Sequence, residues 1–517
     1  MLRALVLSLM ALPAQAADIR FEDLSATLPP HSYTGGWEHF VGGGVALFDC
    51  NGDGRMDAFL AGGDTPAALW INTSNPGAPR FQAAEVAPML GVTGAYPLDI
   101  DSDGHQDLIV LRVGENQLLR GHGDCTFSPA NEDWGFESAN RWSTAFSATW
   151  EPGADWPTLA IGNYVDRKDP DGPFGACDDN ALYRPDGKGF GPPIPLSPGY
   201  CALSILFSDA YRIGRATLRL SNDRHYYVRD GAEEMWALDP LRPLGAEDGW
   251  PRVSLWGMGI ASQDISGDGR PDVMLTSMGD QLLQLSDGAR AFRNAPFEMG
   301  TTAHRPHTGA DGRPSTGWHA EFADLDNDGL SDLFIAKGNV DQMPSNALED
   351  PNSLLHARAD GSFEEVSVAA GVATTARSRG AGLADFDGDG RLDLIVVNRR
   401  APVELYRNVT EGGNYLSLKL AQPGTNRDAV GAWVEVFTET GTQLRELTVG
   451  GGHVSGQMGP LHFGLGQAET ARVTVTWPDG TQSTAVELRA GSGWVLTPRP
   501  SGPNFGEHSG PPLILRF

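Results

Sequence analysis

Five runs of nine residues set aspartates at a spacing that could cage a cation: 49–57, 99–107, 264–272, 324–332 and 385–393, each of the form D-x-[D/N/S]-x-D-G-x-x-D. Side-chain oxygens stand at positions 1, 3, 5 and 9. These are Asp49, Asn51, Asp53 and Asp57 in the first run and Asp99, Asp101, Asp103 and Asp107 in the second. The third has Asp264, Ser266, Asp268 and Asp272, the fourth Asp324, Asp326, Asp328 and Asp332, and the fifth Asp385, Asp387, Asp389 and Asp393. Position 7 offers a backbone carbonyl, from Arg55, His105, Arg270, Leu330 and Arg391 in turn, and the glycine at position 6 admits the sharp turn such a cage needs. Hard oxygen ligands in this order predict calcium, about five ions per chain, with weaker sites where Asn51 or Ser266 replaces a carboxylate.

An EF-hand shares the first six positions but then needs a bidentate Glu at position 12 on an exiting helix. Position 12 here is Leu60, Val110, Leu275, Ile335 or Val396, and each run passes into β-branched and apolar residues such as 107–111 and 393–397. Each loop therefore joins two buried strands.

First aspartates fall at 49, 99, 264, 324 and 385, so the gap from 99 to 264 has room for two more units. Residues 145–149 leading to 158–164, and 204–207 leading to 217–223, keep the strand pair and are read as units that lost their carboxylates. Seven units of this length predict an all-β fold, a seven-bladed β-propeller over residues 17–411, because a lone blade cannot bury its faces. The last unit lacks an outer strand after Arg407, while residues 20–24 match 362–366, so the N-terminus is expected to complete it. Short strands between Gly and Pro-Asp-Gly turns predict a small β-sandwich over 412–499, and the Gly- and Pro-rich 500–517 an irregular tail.

The repeats resemble FG-GAP (VCBS-type) repeats of the integrin α-subunit propeller, and the chain resembles the family of cartilage acidic protein and its bacterial relatives. The resemblance rests on residues 42–49, 163–167 and 173–177, and, for an ASPIC/UnbV domain, on 426–432, 462–466 and 477–480. It implies an integrin-like propeller, calcium in the loops and a C-terminal ASPIC/UnbV domain.

Residues 1–16 read as a secretory signal: Arg3, an apolar run, then Ala14-Gln15-Ala16. No other stretch is long and apolar enough to span a membrane. A secreted product, extracellular or periplasmic, is expected. The formal charge of −28 excludes nucleic acid as a partner, since phosphate contacts need a basic face, and five divalent cations would offset part of it. Four cysteines allow three pairings; Cys177 with Cys201, flanking one carboxylate-poor unit, would tie down the long loop 166–180, leaving Cys50 with Cys125. No C-x-x-C spacing marks a zinc site.

On the face opposite the acidic loops, Trp37, His39, Arg141, Trp142, Asn163, Arg167, Asn222, Arg224, His225, Trp256, Trp318, His319, Asn339, Arg379 and Arg399 are candidates for meeting a ligand. Indole and guanidinium groups suit a sugar or an anion. No nucleophile with an orienting acid stands at a recognisable spacing, and His453 and His462 are read as structural. The expectation is a non-catalytic, calcium-binding module for a carbohydrate, matrix or protein ligand; the alternative is an enzyme, a propeller hydrolase or lyase or a secondary-metabolite tailoring protein, with a central pocket.

Overall fold

The computed structural model describes residues 18–170, 175–223, 231–288, 291–302, 304–309, 311–341, 343–499 and 513–516. The signal-like residues 1–16 and the ligand candidates Arg224 and His225 lie outside them. Helix among the described residues is confined to Ser367–Ala370 and four short 3-10 turns.

Four antiparallel strands make up each repeat. The first unit is Val45–Phe48, Asp57–Leu60, Ala68–Asn72 and Phe81–Ala84, with each acidic loop joining the first strand of its unit to the second. Both strands that flank a loop are apolar on both faces and buried, as in Val92–Leu98 and Asp107–Gly114. Outer strands such as Phe81–Ala84 are only partly covered. The two carboxylate-poor units form as expected, on Arg141–Thr149 with Thr158–Asn163 and on Ala202–Ser208 with Thr217–Asn222. First strands of successive units lie side by side, and the last, Ser378–Ala384, lies against Val45–Phe48.

The seventh unit takes its outer strand from the other end of the chain. Phe21–Asp23 pairs antiparallel with Glu404–Asn408, Phe21 opposite Asn408 and Asp23 opposite Tyr406. Both predicted disulfides are present, and Cys50–Cys125 ties the first acidic loop to the outer turn of the second unit.

Beyond Asn414 come two four-stranded sheets. One orders Leu461–Gly466, Asn414–Leu420, Ser492–Thr497 and Leu513–Arg516; the other Gly441–Glu446, Trp433–Thr438, Thr470–Thr476 and Val486–Arg489. Leu416, Leu418, Val434, Val436, Phe463 and Val473 fill the space between them. Leu513–Arg516 corrects part of the irregular tail: its apolar run completes the edge beside Ser492–Thr497.

The strand Gly441–Glu446 ends at Glu446, and the chain then leaves the sandwich. Val449–Gly450 pairs with first strands of both carboxylate-poor units, Gly450 opposite Ser147 and Leu206, and Gly456–Met458 runs parallel to Val45–Phe48. Between them Gly452 bridges Ile260 and Ser455 bridges Ala95, so segment 449–458 is ringed by first strands from around the repeats. Glycine makes the room: a Cβ on Gly44 or Gly94 would sit 1.8 or 2.0 Å from the Val454 carbonyl oxygen. One buried cluster runs from Tyr96 and Phe146 through Val449 and Met458 into the sandwich core.

Candidate metal centres

All five loops share one backbone pattern. The position-9 aspartate, first residue of the second strand, accepts the position-2 N–H on Oδ2 and a third-strand N–H on Oδ1. For Asp57 the donors are Cys50 (3.0 Å) and Asn72 (2.8 Å), for Asp332 Leu325 (3.0 Å) and Ala357 (2.9 Å). Asp107, Asp272 and Asp393 repeat this. Position 9 is thus both a candidate ligand and a staple across three strands, a second task that the ligand spacing does not reveal. Position 1 accepts the N–H of the position-6 glycine at 2.8–3.0 Å, and position 5 that of position 7 at 2.7–3.1 Å. These backbone bonds hold the same turn in all five loops.

The loops then divide into two classes. In the loops starting at Asp99, Asp324 and Asp385, carboxylate oxygens from positions 1, 3 and 9 lie within 4.8 Å of one another. Asn51 and Ser266 deny the other two such a triplet, and the cluster of Cys50, Asp57 and Cys125 is no thiolate site because its sulfurs are bonded to each other. The third-strand residue facing position 3 follows the same division: Arg120, His356 and Arg407 stand where the other two loops have Ile71 and Leu285. Arg120 meets Asp101 at 3.0 Å, and Arg407 meets Asp387 at 3.2 Å and Asp389 at 3.1 Å. Neither pairing is visible without the strand register.

Burial, aided by neighbouring carboxylates, raises the acids. It pushes Asp99 up to about 7, Asp107 to about 8 and Asp385 to about 7, and holds Asp324, Asp332 and Asp393 well above the usual carboxylate range. In the more open loops Asp57 and Asp264 rise to about 6, again through burial. Asp99 Oδ1, Asp326 Oδ2 and His356 Nε2 are buried with no hydrogen-bond partner. Buried carboxylates crowded without a donor to neutralise them suit a bound cation.

Two loops of the three-carboxylate class also meet the C-terminal sandwich. Position 4 is left-handed in every loop: glycine in three (Gly52, Gly267 and Gly388, φ 73–75°), but Ser102 (φ 59°) and Asn327 (φ 56°) in the other two. Both use the side chain that strains them. Ser102 Oγ accepts the Asn426 N–H at 3.2 Å; Asn327 donates to the Gly390 carbonyl at 3.0 Å and accepts from His462 Nε2 at 2.6 Å. Gln106 donates to Asp428 at 2.8 Å, and Gly413 N–H to the Asp326 carbonyl at 2.8 Å. The departure from glycine at position 4 was the sequence signal for this contact.

One carboxylate-poor loop keeps more than expected. Asp209 and Gly214 hold positions 1 and 6, and Asp209 accepts the Ile213 and Gly214 N–H groups at 2.8 Å. Glu446, on the sandwich, accepts from Ser208 Oγ at 2.5 Å and the Asp209 N–H at 2.8 Å.

Two FG-GAP-like repeat matches, at 49–110 and 264–335, and a third at 324–396 take in all five acidic loops, and an ASPIC and UnbV match covers 422–502. The chain carries FG-GAP-like repeats and an ASPIC and UnbV domain and is homologous to cartilage acidic protein 1. Cartilage acidic protein 1 of Homo sapiens is 30% identical over 237 residues, 43% of this chain and 33% of its own; that of Mus musculus is 29% identical over 233 residues, 43% and 34%. The aligned part spans about a third of these relatives' length. Among solved structures, BBS1N in complex with ARL6DN covers 76% of this chain and 98% of its own at TM-score 0.44 and 11% identity. An Agrocybe aegerita protein that recognises non-reducing terminal N-acetylglucosamine covers 76% and 90% at TM-score 0.31 and 17% identity.

On the face away from the FG-GAP-like loops, the structure corrects most of the ligand candidates. Trp142, Asn163, Trp318, His319, Asn222, Asn339, Arg379 and Arg399 are buried, Trp318 against His453 and Trp142 against Phe40 and Tyr164. Arg379 donates to the carbonyls of Phe40, Ser378, Asn339 and Val340 at 2.6–3.0 Å and stacks on Trp318 at 4.0 Å. His39 meets Asp64 at 3.0 Å, Arg141 pairs with Asp178 and Arg167 with Glu38. Trp37 and Trp256 keep 44% and 36% of their surface exposed and remain presented to solvent. His453 is buried, its Nε2 2.8 Å from the Val41 carbonyl, and burial pushes it down to about 3; burial does the same to His462.

Between the sandwich and the first strands lies a cavity of about 450 Å³, lined by His319, Glu321, Gln457, Gln263, Tyr415 and Arg445 among others. Glu321 accepts from Gln457 at 2.7 Å and stands 3.5 Å from His319 Nε2. No helix among the described residues is long and apolar enough to cross a membrane.

Proposed function

We propose that the chain is a secreted, non-catalytic binding module in which calcium held by the acidic loops locks a closed seven-bladed propeller to its ASPIC/UnbV domain. The observation that carries this reading is the coincidence of two things in the same loops. Two of the three loops with clustered carboxylates, 99–107 and 324–332, also hydrogen-bond the sandwich. Seven four-stranded units with adjoining first strands, the last against the first, support the ring. The fit to a cation rests on the buried carboxylate oxygens without partners and on the all-oxygen donor sets. The ions would neutralise buried charge and fix the loop conformations that the sandwich reads. Two disulfides and the homology to cartilage acidic protein 1 support an extracellular setting.

The ligand, a glycan, matrix component or protein, would meet the face away from the acidic loops, where Trp37, Trp256 and Leu348 are exposed on connecting loops around a filled centre. The enzyme reading would need the cavity near Glu321, yet its other carboxylates are already engaged, Glu446 by Ser208 and Asp209 and Asp385 by the N–H groups of its own loop. Metal analysis of protein dialysed against calcium tests the proposal: about five ions are expected, and two or fewer would refute it. A glycan and matrix-component binding screen, run with and without calcium, tests the ligand class, and binding unchanged by Trp37→Ala and Trp256→Ala would remove that face from the account.

A further inference from the structure

The geometry points to the loop at 324–332 as a mixed nitrogen and oxygen site, completed by His356, that takes a transition-series divalent cation of the manganese or zinc kind in preference to calcium. The inference rests on the loops being cation sites, as proposed above, and concerns which ion this one selects. His356 lies on the third strand of its unit, Ser353–Ala357, one residue before the Ala357 N–H that Asp332 accepts. The equivalent position carries arginine over the two other three-carboxylate loops, where a guanidinium competes with any cation for the position-3 oxygen. An imidazole is different: a neutral ring nitrogen is itself a ligand.

His356 Nε2 stands 3.3 Å from Asp326 Oδ2 and 3.9 Å from Asp332 Oδ1. Neither His356 Nε2 nor Asp326 Oδ2 has a hydrogen-bond partner, and the two residues are 3% and 2% exposed. A buried ring nitrogen and a buried carboxylate oxygen that face each other at 3.3 Å, neither held by a hydrogen bond, leave two strong donors aimed at one point. Neighbouring ligands on a first-row ion, each about 2.1 Å from it, lie about 3 Å apart, close to the separation seen. Asp326, Asp328 and His356 offer one set of donor atoms within 4.8 Å, and Asp324, Asp326 and Asp332 another that shares Asp326. Three to four carboxylates with one imidazole suit manganese or zinc, whereas calcium favours oxygen alone. This is also the most enclosed loop, with Asp324, Asp326, Asn327 and Asp332 all buried, so its ligand set is the most fixed.

Metal-free protein saturated with calcium and then titrated with manganese provides the test, read by paramagnetic resonance with electron spin echo detection of ligand nitrogen. One manganese per chain should bind against excess calcium and show coupling to an imidazole nitrogen. His356→Gln should weaken that manganese at least tenfold and abolish the nitrogen coupling, while total calcium capacity stays the same. If His356→Gln does not fold, the coupling in the unmodified protein decides alone, since among the five loops only this one has a histidine ring nitrogen in its cluster. Calcium binding without a preferred manganese, or bound manganese with no nitrogen coupling, overturns this inference and leaves the calcium reading intact. Failure of both ions to bind overturns the calcium reading as well.

Discussion

Loops 49–57 and 324–332 have the same nine-residue frame and the same staple at position 9, yet they occupy opposite extremes. The first has Asn51 at position 3, glycine at position 4 and Ile71 on the third strand, and its residues 52–55 are exposed. The second has Asp326, Asn327 and His356 at those places, and it is sealed beneath the sandwich. Three substitutions on a constant frame convert a surface turn into a charged node between domains. The difference teaches that position 9 builds the fold, whereas positions 3 and 4 and the facing strand residue decide what the loop does.

The largest effect should come from removing a carboxylate at that node. Under saturating divalent cation, Asp326→Ala should cost about 3 kcal/mol, the range for unbalancing a buried charge cluster, against less than about 1 kcal/mol for Asp53→Ala. In chelator the sign should reverse for Asp326→Ala, because the substitution then relieves repulsion. Thermal or denaturant unfolding of both variants in both conditions checks this, and equal losses would erase the distinction between the loops.

The pH dependence should separate cation-free from cation-loaded protein. Without cations, Asp99, Asp107 and Asp385 are raised to between about 7 and 8, above their unfolded values. Their protonated forms favour the fold, so that stability is present at low pH and lost as pH rises through 7 to 8. His453 and His462, held near 3, act the other way: their contribution is present above about 6.5 and lost as pH falls toward 3. Metal-free protein should therefore melt higher near pH 5 than at pH 8, and added calcium should restore the loss at pH 8. A melting temperature that stays flat from pH 5 to 8 in metal-free protein would count against the crowded carboxylates.

A smaller effect is expected at position 4. Asn327→Gly relieves a strained φ but removes the bonds to Gly390 and His462, for a net loss of about 1 kcal/mol, whereas Gly388→Ala should cost about as much through strain alone. Smallest is a local change at the N-terminal strand. Arg407 reaches Asp387 and Asp389 and lies 3.9 Å from Glu22 on the strand that completes the seventh unit. Asp389→Ala should expose residues 20–24 to protease more than Asp268→Ala does, and equal protection would uncouple the loop from that strand.

The aspartate spacing made the loops, the second strands and even the two carboxylate-poor units legible, because period and burial leave their mark on consecutive residues. The strand lent by residues 21–23 was legible from its likeness to 363–365. Docking was not, since the partners of Ser102 and Asn327 lie more than a hundred residues away. Nor was the departure of segment 449–458 into the repeats, since its strand partners lie hundreds of residues away. Trp142, Trp318 and Arg379 have the composition of a binding face, and only their burial shows them to be packing.

Hydrogen–deuterium exchange across the sandwich, with calcium and after its removal, tests the central claim most directly. The account predicts that chelation raises exchange at residues 426–430 and 462–466, beside the loops at 99–107 and 324–332, as well as in those loops. Exchange that rises in the acidic loops alone, with the sandwich contacts still protected, would contradict a cation-locked junction.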